Sequence, residues 1–329
     1  MPFQNQHTTQ TIDKAIEIGF HAASIVDLTN TDPEFENFYK SWLQKGYHGE
    51  MTYMEKNAQQ RFKPDMLLEN AKSAIVVLAS YNHEKPDLKS RYKISRYALG
   101  VDYHFILKQK LNTLLEYVKT IDPEINGRAF TDSAPVPERY LAVKSGLGFI
   151  GKNGMLINEK IGSMMFIGVL YLDKTINSAD VIGSVNSTKG KGKLQYESRE
   201  LGTSDFSHCT DCDLCMRACP NGAIIEPGIV DSNKCISYKT IEYKGEFADN
   251  DRLAGYIFGC DICQQVCPYN KDVSITGMAE LAPRKEITEL TDDDWHQMGS
   301  SQFKRLFSDT VLFRTGLKRL RRNIEKNIK

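Results

Sequence analysis

The chain has 329 residues, enough for one large domain or two to three smaller ones, and its 42 basic residues balance 42 acidic ones. Any contact with a polyanion must therefore rest on a local patch, not on net charge. Residues 1–10 lack the basic-then-apolar build of an export signal, and the longest apolar stretches, 74–79 and 164–172, are too short to span a bilayer, so a soluble, cytoplasmic protein with no membrane partner is expected.

In chain order, Asp32-Pro33 reads as the N-cap and first position of a helix. Phe35, Phe38, Trp42 and Leu43 form its expected apolar face and Gly46 its stop. Residues 74–78 read as a buried strand. Phe105, Ile106, Leu111, Leu114, Leu115 and Val118 recur at helical spacing, and residues 165–172 read as a further strand. These stripes are simplest as core. Asp102-x-His104 begins like a cobalamin-ligating Asp-x-His-x-x-Gly motif, but Leu107 stands at the glycine position, so His104 is not expected as an axial ligand. Gly146-x-Gly148-x-x-Gly151 matches a dinucleotide fingerprint by letters, yet it follows a helical stretch where a strand is required.

Residues 182–204 interleave Gly183, Ser184, Ser187, Gly190 and Gly192 with Lys189, Lys191 and Lys193, a composition that reads as a solvated linker. All eight cysteines follow it. The run Cys209-x2-Cys212-x2-Cys215-x3-Cys219-Pro220 has the bacterial spacing for a [4Fe–4S] cluster whose fourth cysteine serves a neighbouring cluster. A second run, Cys260-x2-Cys263-x3-Cys267-Pro268, is one ligand short, and Cys235 is the cysteine left over. The crossing pattern of two-cluster ferredoxins assigns Cys209, Cys212, Cys215 and Cys267 to one cluster and Cys219, Cys235, Cys260 and Cys263 to the other. Structural zinc explains less, since it needs no further cysteine followed by proline, and His208 reads as a loop residue. Beyond residue 283 the chain reads as helical, with Phe303, Leu306 and Phe307 as anchors. Its end is basic, carrying Arg314, Lys318, Arg319, Arg321, Arg322, Lys326 and Lys329.

Clusters pass single electrons, and the roughly 200 residues before them exceed what a plain electron carrier requires. Within those residues stand Asp132-Ser-Ala-Pro135-Val-Pro-Glu138-Arg139, Gly146-Leu-Gly148-Phe-Ile-Gly151-Lys152-Asn153 and Arg96-Tyr97-Ala98-x-Gly100-x-Asp102-Tyr103-His104. Further on come Cys235-Ile-Ser237-Tyr238-x-Thr240-Ile-Glu242 and Gly259-Cys-Asp261-Ile-Cys-Gln264-x-x-Cys267-Pro268-x-Asn270. With these segments the chain resembles the epoxyqueuosine reductases from about residue 46 to 270 and into the tail.

That resemblance implies an α+β chain in four parts. A nitroreductase-like cobalamin-binding module occupies 1–181, a linker 182–205, a ferredoxin-like module with two [4Fe–4S] clusters 206–275, and a short helical tail, basic at its end, 276–329. It implies reduction of epoxyqueuosine to queuosine at the wobble position of transfer RNA, with electrons passing through the clusters to cobalamin from an external donor such as a flavodoxin or ferredoxin system. Asp132 matches the family's proton donor, and burial beside the corrin is expected to raise its pKa. Read without the family, Asp132 caps the helix near Pro137 or shapes the turn. Arg61, Tyr97, Asp132, Lys152, Asn153, Ser237, Asp261 and Gln264 match or adjoin positions that contact the cobalamin. The basic tail and Lys189, Lys191 and Lys193 are the candidates for gripping transfer RNA. Longer family members continue into a helical-repeat extension, so a lighter grip on the anticodon stem is expected. Reductive dehalogenases share the cofactors but typically carry an export signal and lack the Asp132 segment.

Overall fold

The computed structural model describes residues 5–30, 32–176, 183–184, 207–271, 273–275 and 277–328. Five strands pair in an antiparallel sheet: β1 (Ala22–Asp27), β2 (Ser73–Ser80), β3 (Gly127–Phe130), β4 (Met165–Leu172) and β5 (Gly183–Ser184), in the order β3-β4-β2-β1-β5. Every residue of the central strand β2 is buried. Its alternation divides the core, as the period of a strand requires. Ile75, Val77 and Ala79 face one cluster with Ile12, Leu107, Leu111 and Leu114, while Ala74, Val76 and Leu78 face another with Leu141, Ala142, Leu147 and Tyr171. The strands expected at 74–78 and 165–172 are thus β2 and β4.

Helices cover both faces of the sheet. α1 (Asn5–Glu17) and α3 (Tyr103–Ile121) pack on the first, α4 (Glu138–Lys144) on the second. α2 (Pro33–Gln44) starts as read, the Asp32 carboxylate accepting the Phe35 N–H at 3.0 Å, and the chain turns out at Gly46 with φ +68. Two aromatic side chains depart from the expected core: Phe38 is 45 % and Phe105 70 % exposed. The buried stripe of α3 runs through Tyr103, Leu107, Leu111, Leu114 and Val118, and a residue two positions from Tyr103 points to the opposite side. In α2 the buried residue is Tyr39, one position beyond Phe38. The glycine-rich 146–151 turn follows α4 and leads into Phe149–Ile150, paired with Leu156–Ile157, the reverse of a dinucleotide-binding context.

The cysteine-bearing segments are joined to this body. Tyr256–Phe258 runs parallel to Lys93–Ile94, and the Asn270 carboxamide accepts the Ser163 N–H at 2.7 Å. α5 (Ile236–Ile241) ends with carbonyls that no helical N–H can reach, and α6 (Leu317–Ile328) supplies their donors. Arg322 donates to the Lys239 carbonyl at 2.9 Å, buried Asn323 to those of Thr240 and Ile257 at 2.9 and 2.8 Å, and Arg319 to that of Ile241. Arg322 also reaches the Tyr243 and Gly245 carbonyls and lies 4.3 Å from the Phe247 ring centroid. Arg321 and Lys326 donate to the Met298 and Ala248 carbonyls.

Most of the basic tail expected to hold transfer RNA therefore clamps the protein's own backbone. Of that set Arg314, Lys318 and Arg321 are exposed, and Lys329 with Lys189, Lys191 and Lys193 lies outside the described residues. Phe303 and Phe307 are buried, as expected of anchors. No helix among the described residues is long and apolar enough to cross a membrane.

Asn323→Ala strips the donor from two buried carbonyls and should cost about 1–3 kcal/mol or more. Lys318→Ala should stay within about 0.5 kcal/mol. Urea unfolding of the two variants side by side checks this; equal midpoints would contradict the clamp.

Candidate active site

Asp132 lies just beyond β3. Its φ of +50 is left-handed, a conformation that Asp tolerates better than most side chains. Its N–H donates to the Glu138 carboxylate at 2.5 Å. Asp132 thus does not cap α4; the first residue of α4 holds the Asp132 backbone, leaving the Asp132 side chain free to face inward. There its Oδ2 accepts the Tyr103 hydroxyl at 2.6 Å and lies 3.7 Å from His104 Nε2. His104 Nδ1 is 2.5 Å from Asp102 Oδ1, and Arg314 reaches Asp102 Oδ2 at 3.2 Å. The Phe166, Tyr103 and His104 rings are stacked in sequence, with centroid spacings of 3.8 and 4.1 Å.

This group opens on a cavity of about 2300 Å³, well above the ~300–1,000 Å³ usual for small-ligand sites. Asp132 is 67 % exposed, on the wall of this half-open cavity. The same cavity is lined by Cys219, Cys235, Cys260 and Cys263. A second cavity, of about 250 Å³, is lined by Cys209, Cys212, Cys215 and Cys267. The fold has sorted eight free thiols into the two crossed sets of four that the spacing predicts. Among the described residues no three or more His, Cys, Asp or Glu side chains converge on a single ion.

Of the residues expected at a cofactor, Arg61, Tyr97, Asp132, Asn153, Ser237 and Gln264 line the large cavity. Asn153 Nδ2 and Arg61 Nε are buried without a hydrogen-bond partner, although Arg61 Nη1 donates to the Val136 carbonyl at 3.2 Å. Gln264 gives its amide to the Ser163 carbonyl at 2.8 Å. Two residues are not brought to this wall. Lys152 reaches the other way, to the Thr210 carbonyl at 2.7 Å beside the smaller cavity. Asp261, only 2 % exposed, accepts from the Ser95 hydroxyl and from the Arg96 N–H at 2.7 Å. Both brace the cluster segments against the body, because each finds a backbone or hydroxyl partner before it reaches the cavity. Glu138 and Arg139 form no ion pair across a helix surface; Arg139 donates to the Gly154 carbonyl. The sequence reading missed Tyr103, His104 and Arg314 as a unit, although Asp102-x-His104 was its signal.

Electrostatics assign the protons. Burial pushes the Asp132 carboxyl up, but the nearby His104 ring and the bond from the Tyr103 hydroxyl outweigh it and hold the group below its ordinary range. This direction is opposite to the rise expected of burial beside a corrin: a hydrogen-bonded carboxylate facing a histidine ring stays ionised. Burial disfavours the His104 imidazolium, yet Asp102 and Asp132 outweigh it and raise the ring above its usual value. Glu138 moves the other way, pushed up to about 8 by burial and then by the Asp132 charge. Burial, followed by the neighbouring thiols, pushes Cys260 up to about 12 and raises Cys263 as well. Such thiols ionise when iron supplies the compensating charge.

Fold, thiol sets and cavity define an iron–sulfur oxidoreductase with room for a large ligand. A family model described as a 4Fe-4S double cluster binding domain matches residues 208–270, and one described as epoxyqueuosine reductase QueG matches residues 61–133. An epoxyqueuosine reductase of Cellulophaga algicola is 36 % identical over 327 residues, covering 99 % of both chains. That of Escherichia coli is 33 % identical over 97 % of this chain and 80 % of its own. The solved Streptococcus thermophilus epoxyqueuosine reductase superposes with a TM-score of 0.79 at 26 % identity, covering 97 % of this chain and 80 % of its own. An epoxyqueuosine reductase crystallised with an epoxyqueuosine-modified tRNA stem loop shares the fold, with a TM-score of 0.83 at 24 % identity, over 98 % of this chain and 81 % of its own. The chain belongs to the epoxyqueuosine reductase family.

Two outcomes test this site. Cys263→Ser and Cys212→Ser should each keep about half of the iron, with different electron-paramagnetic signals surviving; loss of the same signal from both would contradict the sorting. Because Glu138 is raised in the folded chain, its contribution to stability is full below the unfolded carboxyl pKa and lost as pH rises through about 8. Glu138→Gln should therefore gain stability relative to the parent as pH rises from about 4.5 to about 8 in thermal melts. Melting curves that stay parallel across that range would refute the shift.

Proposed function

We propose that this chain reduces epoxyqueuosine to queuosine at the wobble position of transfer RNA in the cytoplasm, using cobalamin held in the large cavity and electrons from two [4Fe–4S] clusters. One observation carries the reading: a single cavity has Asp132 on one wall and four cluster thiols on another. Its volume exceeds what a nucleoside alone would need, and Asn153 and Arg61, which line it, would help to hold the corrin with Tyr97 and Ser237. The helix-covered antiparallel sheet supports the nitroreductase-like assignment of this module. When bound, cobalamin supplies a cobalt centre able to pass reducing equivalents to carbon.

The protein's own groups do the rest. Opening an epoxide and losing its oxygen as water consumes two electrons and two protons. Asp132 faces the space where that oxygen would sit, and delivers protons to it as general acid. The Tyr103 hydroxyl fixes which carboxylate oxygen is free, and Tyr81, Tyr97 and Phe166 form an aromatic wall that limits water. Electrons enter from an external flavodoxin or ferredoxin system at the outer thiol set, where Thr210 and Asp211 are exposed.

The test is nucleoside mass spectrometry of transfer RNA from cells lacking the gene. Epoxyqueuosine should accumulate, and the intact gene should clear it when cobalamin is supplied. Asp132→Asn should retain iron and corrin spectra while turnover falls at least ~100-fold; unchanged queuosine in the deletion strain, or a fully active Asp132→Asn enzyme, would overturn the reading.

A further inference from the structure

Asp102-x-His104 has so far no role. It is not spaced as a cobalt-ligating motif, yet both side chains are buried, at 5 % and 6 % exposure, directly behind Asp132. The imidazole has Asp102 at 2.5 Å from Nδ1, while Nε2 faces both the Arg314 guanidinium at 3.4 Å and the Asp132 carboxylate at 3.7 Å. Asp102 is fixed twice more, by the His104 N–H at 3.0 Å and by Arg314 at 3.2 Å. Tyr103 stacks on the ring and meets the same Asp132 oxygen. His104 thus stands between two carboxylates, one sealed in the protein and one open to the cavity.

We propose that Asp102 and His104 are a proton-delivery pair acting through Asp132, so that each proton given to the departing oxygen comes from His104 Nε2. This rests on the reaction proposed above. The balance is explicit. Two C–O bonds break, a carbon–carbon π bond forms, two electrons arrive from the clusters and two protons leave in water. Asp132 carries one proton at a time. With the cavity open, that proton resides on His104; when a ligand fills the cavity and excludes water, the charged imidazolium–carboxylate arrangement loses solvation, transfer to Asp132 Oδ2 gives a neutral pair, and a turn of the carboxyl about its Cβ–Cγ bond presents that O–H to the cavity. The Nδ1–H remains on Asp102, which keeps the ring oriented. His104 regains its proton from water between transfers, and the second proton takes the same route. The longer 3.7 Å separation is of the kind that tightens when a site is occupied.

Asp102 and Asp132 stabilise the imidazolium, Arg314 opposes it, and Glu138 and Arg139 act on Asp132 from α4. Glu242, at the end of α5, also acts on Asp132. His104 and Asp102 are positioning residues, since neither touches substrate.

The first arm needs no cofactor. In cobalamin-free protein, the His104 ring, assigned by its loss in His104→Gln, should titrate above an ordinary histidine by nuclear magnetic resonance, and Asp102→Asn should lower that midpoint. A midpoint at or below the ordinary value, or one indifferent to Asp102→Asn, would overturn the proposal. In the second arm, cluster- and cobalamin-loaded His104→Gln should turn over at least ~100-fold more slowly with the wild-type pH limb flattened. Activity within twofold of wild type, or a slower enzyme with the pH profile unchanged, would also overturn it. A wild type that titrates as described yet leaves epoxyqueuosine intact would instead sink the proposed reaction.

Discussion

A thiol buried among other thiols does not stay ionised without a positive charge to hold it, and much of this molecule is arranged around that constraint. Cys219, Cys235, Cys260 and Cys263 come from three separated segments and meet at one cavity wall. Their local apolar cluster is small, built on Ile236, Leu253 and Tyr256. Iron–thiolate bonds therefore supply cohesion that packing does not, as in other small metal-dependent modules. The remaining rigidity is borrowed. Tyr256–Phe258 is paired with Lys93–Ile94, Asp261 is anchored to Ser95 and Arg96, and α6 caps the end of α5.

Placing one thiol set on the cavity wall has a functional consequence. In the reaction proposed above, electrons reach the cavity from the cluster side, whereas protons reach it from α3 and the turn after β3. Separating the two supplies lets each be tuned alone: the thiols by burial and iron, Asp132 by Tyr103 and His104. Glu138 stays at the edge of this group, holding the Asp132 backbone while its own proton affinity is raised. The left-handed Asp132 is thereby fixed by a bond from a neighbouring helix, not by a glycine.

What was legible in the sequence follows the same physics. Metal coordination demands one residue type at fixed spacing, so both thiol sets could be written down before any coordinates. Continuous apolar runs gave β2 and β4 because a strand covered on both faces has no polar side. Phe38 and Phe105 misled, since hydrophobicity alone does not say which side of an aromatic-rich helix is covered. The basic tail misled for a different reason. A run of Arg and Lys reads as solvated, and the carbonyls it satisfies lie about 80 positions earlier, as for Arg322 and Lys239. The direction of the Asp132 shift was equally hidden, because Tyr103 is 29 positions away and the sequence does not say that they touch. Lys152 and Asp261 carry the right chemistry for a cofactor contact, but distance and prior partners decide where such side chains go.

The central claim is that reducing iron and an acid share one cavity built for a large cobalt-bearing ligand. Anaerobic purification followed by metal analysis and titration with cobalamin tests it most directly. The account predicts about eight irons per chain, as two [4Fe–4S] clusters require, and stoichiometric cobalamin binding that weakens when Asn153 or Arg61 is replaced by alanine. Zinc in place of iron, or no affinity for the corrin, would contradict it.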